Sequence, residues 1–281
     1  MAGPDQRFLF SDIDLARRLE RAEARANAAF VEARAAVDPQ SGARWIEAGG
    51  AYAMYDGVSS PVTQTFGLGL FADATSAVLD RIEAFFRERG APVCHEVSPL
   101  AGVPLAALLA ERGYRPVEFS SVTYRAMDRG GALGLSLNEN IHVRPVEQHE
   151  GELWAQVSAK GWSEDFPGVT DFLLALGAIS TRRAHTISFL AELEGRPIGA
   201  GALCVHQGVA LFAGACTIPE ARRQGAQRAL MDARFRYAAE HGCDVAMMGA
   251  APGSASQRNA ERYGFRIAYT RTKWQLSHSS A

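Results

Sequence analysis

"CTIPEARRQGAQRAL", Cys216 to Leu230, follows the apolar run "GVALFAGA" and leads into a helical pattern. A chain leaving a buried strand thus sets three arginines, two glutamines and one glycine around the first turn of a helix. Inside a helix glycine costs about 1 kcal/mol against alanine, so its presence points to a need for bare backbone. A helix start offers about four unpaired N–H groups and roughly half a positive charge. Gly225 lets an anion approach that backbone without meeting a Cβ, and Arg222, Arg223 and Arg228 add neutralising charge. The turn reads as a pyrophosphate site, against the plainer alternative of a solvated helix start with scattered arginines.

Working outward, "IHVRPV" is a strand, and "HEGELWAQVSAKG" and "VTDFLLALGAI" are helices. Three strands follow in residues 185–218, joined at "EGRP" and "HQG". A helix from Gln224 to His241, a strand "DVAMMGA", a helix "SASQRNAERYG" and the final strands "RIAYTRTKWQL" complete this half. The N-terminal half has a related order. After a long helix or a close pair of helices that opens with Ser11 and Asp14 in capping-box spacing and stops before Pro39 come three short strands, a helix beginning near Asp73, a strand "PVCHEV", a helix and a strand. A shift of 152 positions lays Ala77, Asp80, Glu88, Gly90 and Val93 on Ala229, Asp232, Glu240, Gly242 and Val245. The chain is an internal repeat, with domains at 1–130 and 141–281 and a Gly-rich polar linker at 131–140.

Composition limits the function. Among 281 residues, 47% are hydrophobic and 21% charged, which is enough apolar material for two modest cores. The net charge of −2 gives no global field for nucleic acid or an anionic membrane, so neither is an expected partner. Lys160 and Lys273 are the only lysines, and this arginine bias with heavy alanine use points to a GC-rich bacterial genome. The four cysteines form no CxxC pair and no His-containing metal spacing, so no metal site is expected and a reducing cytoplasm is.

Around Gly225 the sequence resembles the phosphate-binding motif of the GNAT superfamily of acyl-CoA N-acyltransferases, Arg/Gln-x-x-Gly-x-Gly/Ala after a strand. Here it reads Arg222-Arg223-Gln224-Gly225-Ala226-Gln227, preceded by Pro219-Glu220, with Gln227 departing at the last position. "SQRNAERYGFRIAYT", a helix ending in Gly264-Phe265, is similar to the superfamily's later block. The resemblance covers about residues 141–277. It implies an α/β (α+β) fold of two tandem GNAT-like domains, each a mixed, mostly antiparallel twisted sheet flanked by helices. Acetyl-CoA or another acyl-CoA would be the cosubstrate. Main-chain groups of Cys216, Thr217 and Ile218 would pair with pantetheine. Arg223, Gln224, Gly225, Ala226, Gln227 and Arg228 would cradle the pyrophosphate. Ser254 would lie near the thiol end, although Ser254 and Gln257 also have capping-box spacing.

The activity implied is transfer of an acetyl or short acyl group to an amine of a small molecule or peptide. Family members often place a Tyr four residues before the Gly-Phe glycine as proton donor; here that position is Ala260. Ser256, which could orient a water or donate weakly, is a catalytic candidate, with Tyr263 nearby at the helix end. Cys216 adjoins the expected thioester, but a lone strand cysteine is more often packing than nucleophile. For the acceptor, "GWSEDFPG" offers Trp162 and Phe166 as apolar area, with Glu164 and Asp165 for a cationic amine. The first copy reads as degenerate: Asp73 stands opposite Gly225, able to cap its own helix and to repel a diphosphate, while Tyr52 and Tyr55 can wall an acceptor pocket. A non-catalytic acyl-CoA sensor or scaffold is the alternative, favoured by the missing tyrosine.

Overall fold

The computed structural model describes residues 9–127, 133, 137–164, 168, 170–177 and 179–277. In chain order the elements are α1 (Ile13–Val37), β1 (Arg44–Ala48), β2 (Ala51–Tyr55), β3 (Gln64–Phe66), α2 (Ser76–Arg87), β4 (Cys94–Val97), α3 (Val103–Glu111) and β5 (Tyr114–Ala126). The second run is β6 (Ile141–Pro145), α4 (Gly151–Trp162), α5 (Thr170–Ala175), β7 (Thr186–Leu193), β8 (Arg196–His206), β9 (Val209–Thr217), α6 (Ala226–Glu240), β10 (Val245–Ala250), α7 (Ala255–Arg262) and β11 (Arg266–Leu276). Three strands, helix, strand, helix, strand therefore occurs twice: β1 to β5 around α2 and α3, and β7 to β11 around α6 and α7.

The chain forms two compact units, one of Ala126–Ala246 and one of Arg7–Arg125 with Met247–Ala281. The domains read from the sequence are 1–130 and 141–281 with a linker at 131–140; in this division residues 247–277 group with the N-terminal unit. The cause is β11. It pairs antiparallel with β4, setting Lys273 opposite Glu96, and antiparallel with β5, setting Thr272 opposite Phe119. Both edges of β11 are paired there, which leaves it no row of orphan backbone groups.

In the unit that holds β11, the sheet runs β1-β2-β3-β4-β11-β5, with β3–β4 as its parallel pair. Leu79, Ile82 and Phe86 of α2 and Leu105 and Leu109 of α3 pack with Ala51 and Ala53 of β2 as one buried cluster. α1 is alanine-rich, suiting a 25-residue helix. Its N-cap is Asp12, whose carboxylate accepts from the Leu15 amide at 2.9 Å, not the Ser11/Asp14 box read from the sequence. Asp14 is one methylene shorter than the Glu or Gln that closes such a box, and Asp caps as well as Ser.

The other unit is a meander, β6-β7-β8-β9, antiparallel throughout. α4 and α6 pack on it through Trp154, Leu230 and Phe235, all buried. β10 starts beside the beginning of β9, where the Asp244 and Val245 amides donate to the Gly208 carbonyl at 2.9 and 3.2 Å. Of the expected linker, 131, 132 and 134–136 lie outside the described residues; Asn138 closes its end with a bond from the Asn140 amide to Asn138 Oδ1 at 3.1 Å.

Candidate active site

β9 delivers the chain to the arginine-rich turn, and its ladder decides which backbone groups are left over. Ala200 faces Cys216, Gly199 faces Thr217, and the Ile218 amide donates to the Ile198 carbonyl at 2.9 Å. Antiparallel bonding alternates, so Cys216 and Ile218 point their backbone groups at β8 and Thr217 points its own away. Of the three residues expected to pair with a pantetheine, only Thr217 offers both groups; the Ile218 N–H is already bonded. The Cys216 side chain turns toward α4, against Gly161, where a Cβ would stand 2.5 Å from its sulfur. Burial pushes that thiol up to about 11, so it stays protonated at neutral pH and is packing, not nucleophile.

The turn itself alternates in hand. Arg222 is extended (φ −61°, ψ 153°), Arg223 has φ +65°, and Gly225, the N-cap of α6, has φ +105°. Alternation of this kind gathers successive N–H groups into an anion-binding concavity. Arg223 is a non-glycine residue in the left-handed region, a strain of order 1–3 kcal/mol that clusters at functional sites. No side chain caps α6. Gln227 spans from the first turn of the helix to β9, its amide Nε2 donating to Thr217 Oγ1 at 3.0 Å, so the departure from Gly or Ala at this position ties the two halves of the site together. Ala226 is buried, and Arg223, Gln224 and Arg228 are exposed.

Two features here went unread in the sequence. Asn138 Nδ2 donates to the Gln224 carbonyl at 3.0 Å and braces the turn from outside. The β8–β9 register also shifts between Ala200 and Ala202, leaving Gly214 and Ala215 as a bulge opposite Gly201, with Gly214 at φ +59°. A lone glycine within "LFAGACT" was the available signal.

At the expected acceptor wall, Trp162 ends α4, half-buried, and Glu164 pairs with Arg222 at 3.0 Å. Arg222 also donates to the Gly161 carbonyl at 3.4 Å, and Lys160 pairs with Glu220. The end of α4 is thereby linked twice to the residues around the turn. Asp165 and Phe166 lie outside the described residues. Tyr52 and Tyr55 belong to the other unit. There Tyr52 stacks on Trp45 at a centroid distance of 4.6 Å, with the Arg21 guanidinium 4.5 Å from its ring. Ser254 and Ser256 belong to that same unit: Ser254 caps α7, its Oγ accepting from the Gln257 amide at 3.2 Å, and Ser256 is exposed on the first turn of that helix. Among the described residues no group of three or more His, Cys, Asp or Glu is arranged to hold a metal ion, and no helix is long and apolar enough to cross a membrane.

The turn, the uncapped helix and the bulged β8–β9 ladder lie within the stretch matched by one family model, described as acetyltransferase (GNAT) family, at residues 151–265. Residues 151–265 are a GNAT domain. Over 94% of this chain and 96% of the other, the fold is similar to a GCN5-related N-acetyltransferase from Kribbella flavida, at 18% identity and a TM-score of 0.68. A tandem GNAT protein from the clavulanic acid biosynthesis pathway matches over 97% of this chain and 98% of its own, at 12% identity and 0.58. A functionally unknown conserved protein from Staphylococcus epidermidis matches over 85% and 96%, at 8% identity and 0.58. No curated protein matched the chain in sequence. The tandem GNAT fold thus extends over nearly the whole chain, while the GNAT family match stops at Phe265, just before β11.

Proposed function

We propose that the GNAT domain binds acetyl-CoA or another short acyl-CoA once per chain and transfers the acyl group to an amine of a small molecule or peptide. The observation that carries this is the uncapped N-terminus of α6 under Gly225, with the turn of alternating hand before it. Residues Arg223 to Arg228 suit a diphosphate: several N–H groups converge there, and the helix macrodipole adds to the arginine charge. Thr217 suits an extended amide chain laid beside β9, because its N–H and C=O face away from β8. The bound cosubstrate supplies the activated thioester. The chain's part is to orient it and to receive the amine, for which Trp162 and Glu164 are the proposed contacts, together with Asp165 and Phe166.

No strong side-chain acid is proposed for the leaving thiolate. Ala260 is wholly buried, and Cys216 is held as a thiol. Proton delivery is assigned to water or to the amine, with Ser256 at most orienting a water. The missing tyrosine at Ala260 also favours a second reading, a non-catalytic acyl-CoA sensor. The test is calorimetry with acetyl-CoA, followed by thiol release with a panel of amines. One site per chain with turnover supports the transferase, one site without turnover supports the sensor, and no binding sinks both.

A further inference from the structure

Arg234, on α6, is the largest side chain wholly buried in the described chain. It sits where an amphipathic helix places apolar residues, one turn after Leu230 and one before Ala238, both buried. A buried guanidinium is costly unless its donors are used. Here Nε donates to the Leu230 carbonyl at 3.0 Å, and Nη1 donates to the Ala202 carbonyl at 3.2 Å and the Ala213 carbonyl at 3.4 Å. Ala202 and Ala213 are opposite each other, the last pair of the β8–β9 ladder before the bulge at Gly214 and Ala215. The guanidinium therefore bridges both strands at the point where the register jumps. It lies directly against Gly201, where a Cβ would stand 3.4 Å from the guanidinium carbon, in ordinary contact. The Phe212 ring lies 5.0 Å from that carbon, and Trp154 Nε1 donates to the Gly201 carbonyl at 3.3 Å.

The bulge has a consequence two residues later. A strand's faces and bonding edges alternate with period two, so removing one extra residue would exchange them. In the observed register Thr217 faces away from β8 and the Cys216 side chain fits against Gly161. We infer that Arg234 is a positioning residue: it clamps the β8–β9 bulge and thereby aims the backbone of Thr217 at the acyl-CoA. The clamp rests on the proposed function for its ligand, but its effect on the strand does not.

Arg234→Met removes the donors at similar length, and Arg234→Lys keeps the charge while reaching fewer carbonyls. Ile179→Ala, a buried site in the same unit away from the bulge, is the destabilised control. Two quantities are read on each folded protein: CoA affinity by calorimetry, and hydrogen exchange of the Ile218 amide. In Arg234→Met, CoA affinity should fall at least tenfold and the Ile218 amide should exchange at least tenfold faster than in Ile179→Ala. Arg234→Lys should fall between Arg234→Met and the unaltered protein on both measures, and it decides the question alone if Arg234→Met does not fold. Ile218 protection equal to that of the control overturns the clamp, as does CoA affinity within threefold of the unaltered protein in Arg234→Met. Full recovery in Arg234→Lys assigns the effect to charge and likewise overturns it. If the unaltered protein binds no CoA, the functional reading fails, and Ile218 exchange still decides the clamp.

Discussion

α2 and α6 are the same helix of the repeat, and they end alike but begin differently. At the C-terminal ends, Gly90 and Gly242 both take positive φ, and the next amides, Ala91 and Cys243, donate back to Phe86 and Ala238 at 3.1 and 2.9 Å. The shift of 152 is kept there. At the N-terminal ends it is lost: α2 has 12 residues and α6 has 15. Thr75 caps α2, its hydroxyl accepting from the Val78 amide at 3.3 Å, where α6 has only Gly225. Asp73, expected to cap α2, lies two residues too early and accepts the Thr75 amide on its carbonyl instead. The loop before α2 is filled from within: Leu68 and Leu70 are buried, Arg17 donates to the Leu70 carbonyl at 2.7 Å, and the Arg21 guanidinium lies 3.9 Å from the Phe71 ring. The Thr75 hydroxyl takes one of the free N–H groups of α2 behind a loop packed from within, whereas no side chain takes any at the start of α6.

The difference is broken most directly at Gly225. Gly225→Asp forces φ +105° on a residue with a Cβ and sets a carboxylate beside the turn, so acetyl-CoA affinity should fall at least about tenfold in calorimetry, with the fold retained. Unchanged affinity, or two equal sites per chain, would show that the open start of α6 is not the phosphate site.

The unit containing α2 also holds charge inside. The buried Arg271 of β11 lies among Glu20 and Glu23 of α1 and Glu96 of β4, at 3.4, 2.7 and 3.3 Å, and Tyr269 donates to Glu20 at 2.9 Å. Desolvation raises Glu20 to about 7, with Arg271 pulling the other way and Glu23 and Glu96 adding to the rise. A raised carboxylate favours the folded state when protonated, so this stabilisation is present below about 4.5 and is lost as pH climbs through about 7. His95, wholly buried with Tyr114 on its ring, is lowered to about 4 by desolvation. It contributes stability above about 6.5 that is lost as pH falls toward 4, opposing Glu20 between the two. Glu20→Gln should therefore gain stability relative to the unaltered protein between pH 5 and pH 7, by at most about 1.4 kcal/mol per unit for one proton. Urea midpoints that move in parallel across that range would refute the assignment.

A smaller effect sharpens the comparison from the other side. Thr75→Ala opens α2 and should cost about 1 kcal/mol of stability while gaining no CoA site, because Leu68, Leu70 and Phe71 remain in place before it. A second binding event in that variant would mean that the cap alone separates the copies.

How much of this was legible depends on the range of the forces involved. The repeat, the paired helices and the Gly225 turn are written in local patterns: hydrophobic periodicity, a helix-ending glycine, arginines before a glycine. Asp73 was misjudged because a residue alignment carried through the helix cannot sense a start displaced by two residues. β11 joining the N-terminal unit was hidden because strand pairing is non-local, and "RIAYTRTKWQL" reads the same whichever ladder it completes. Asn138 and Arg234 were hidden because each acts on a carbonyl distant in sequence, Asn138 on Gln224 and Arg234 on Ala202.

The next helix pair reverses the first contrast, and the smallest expected effect lies there. α3 starts at Gly102 with no side-chain cap and with Pro104 in its first turn, while α7 is closed by Ser254. The Ser254 hydroxyl is already an acceptor for Gln257, so Ser254→Ala should act on stability, by about 1 kcal/mol. Ser256 has no such duty and is exposed. If the leaving thiolate drew its proton from Ser256, turnover in Ser256→Ala would fall by the 10² to 10⁴ typical of losing a general acid. A thiol near the ordinary pKa of about 8.5 leaves without a dedicated acid, so water or the amine suffices, and the loss should be about threefold or less with CoA affinity unchanged. A hundredfold fall in thiol release, at unaltered CoA binding, would restore to Ser256 the role that Ala260 leaves open.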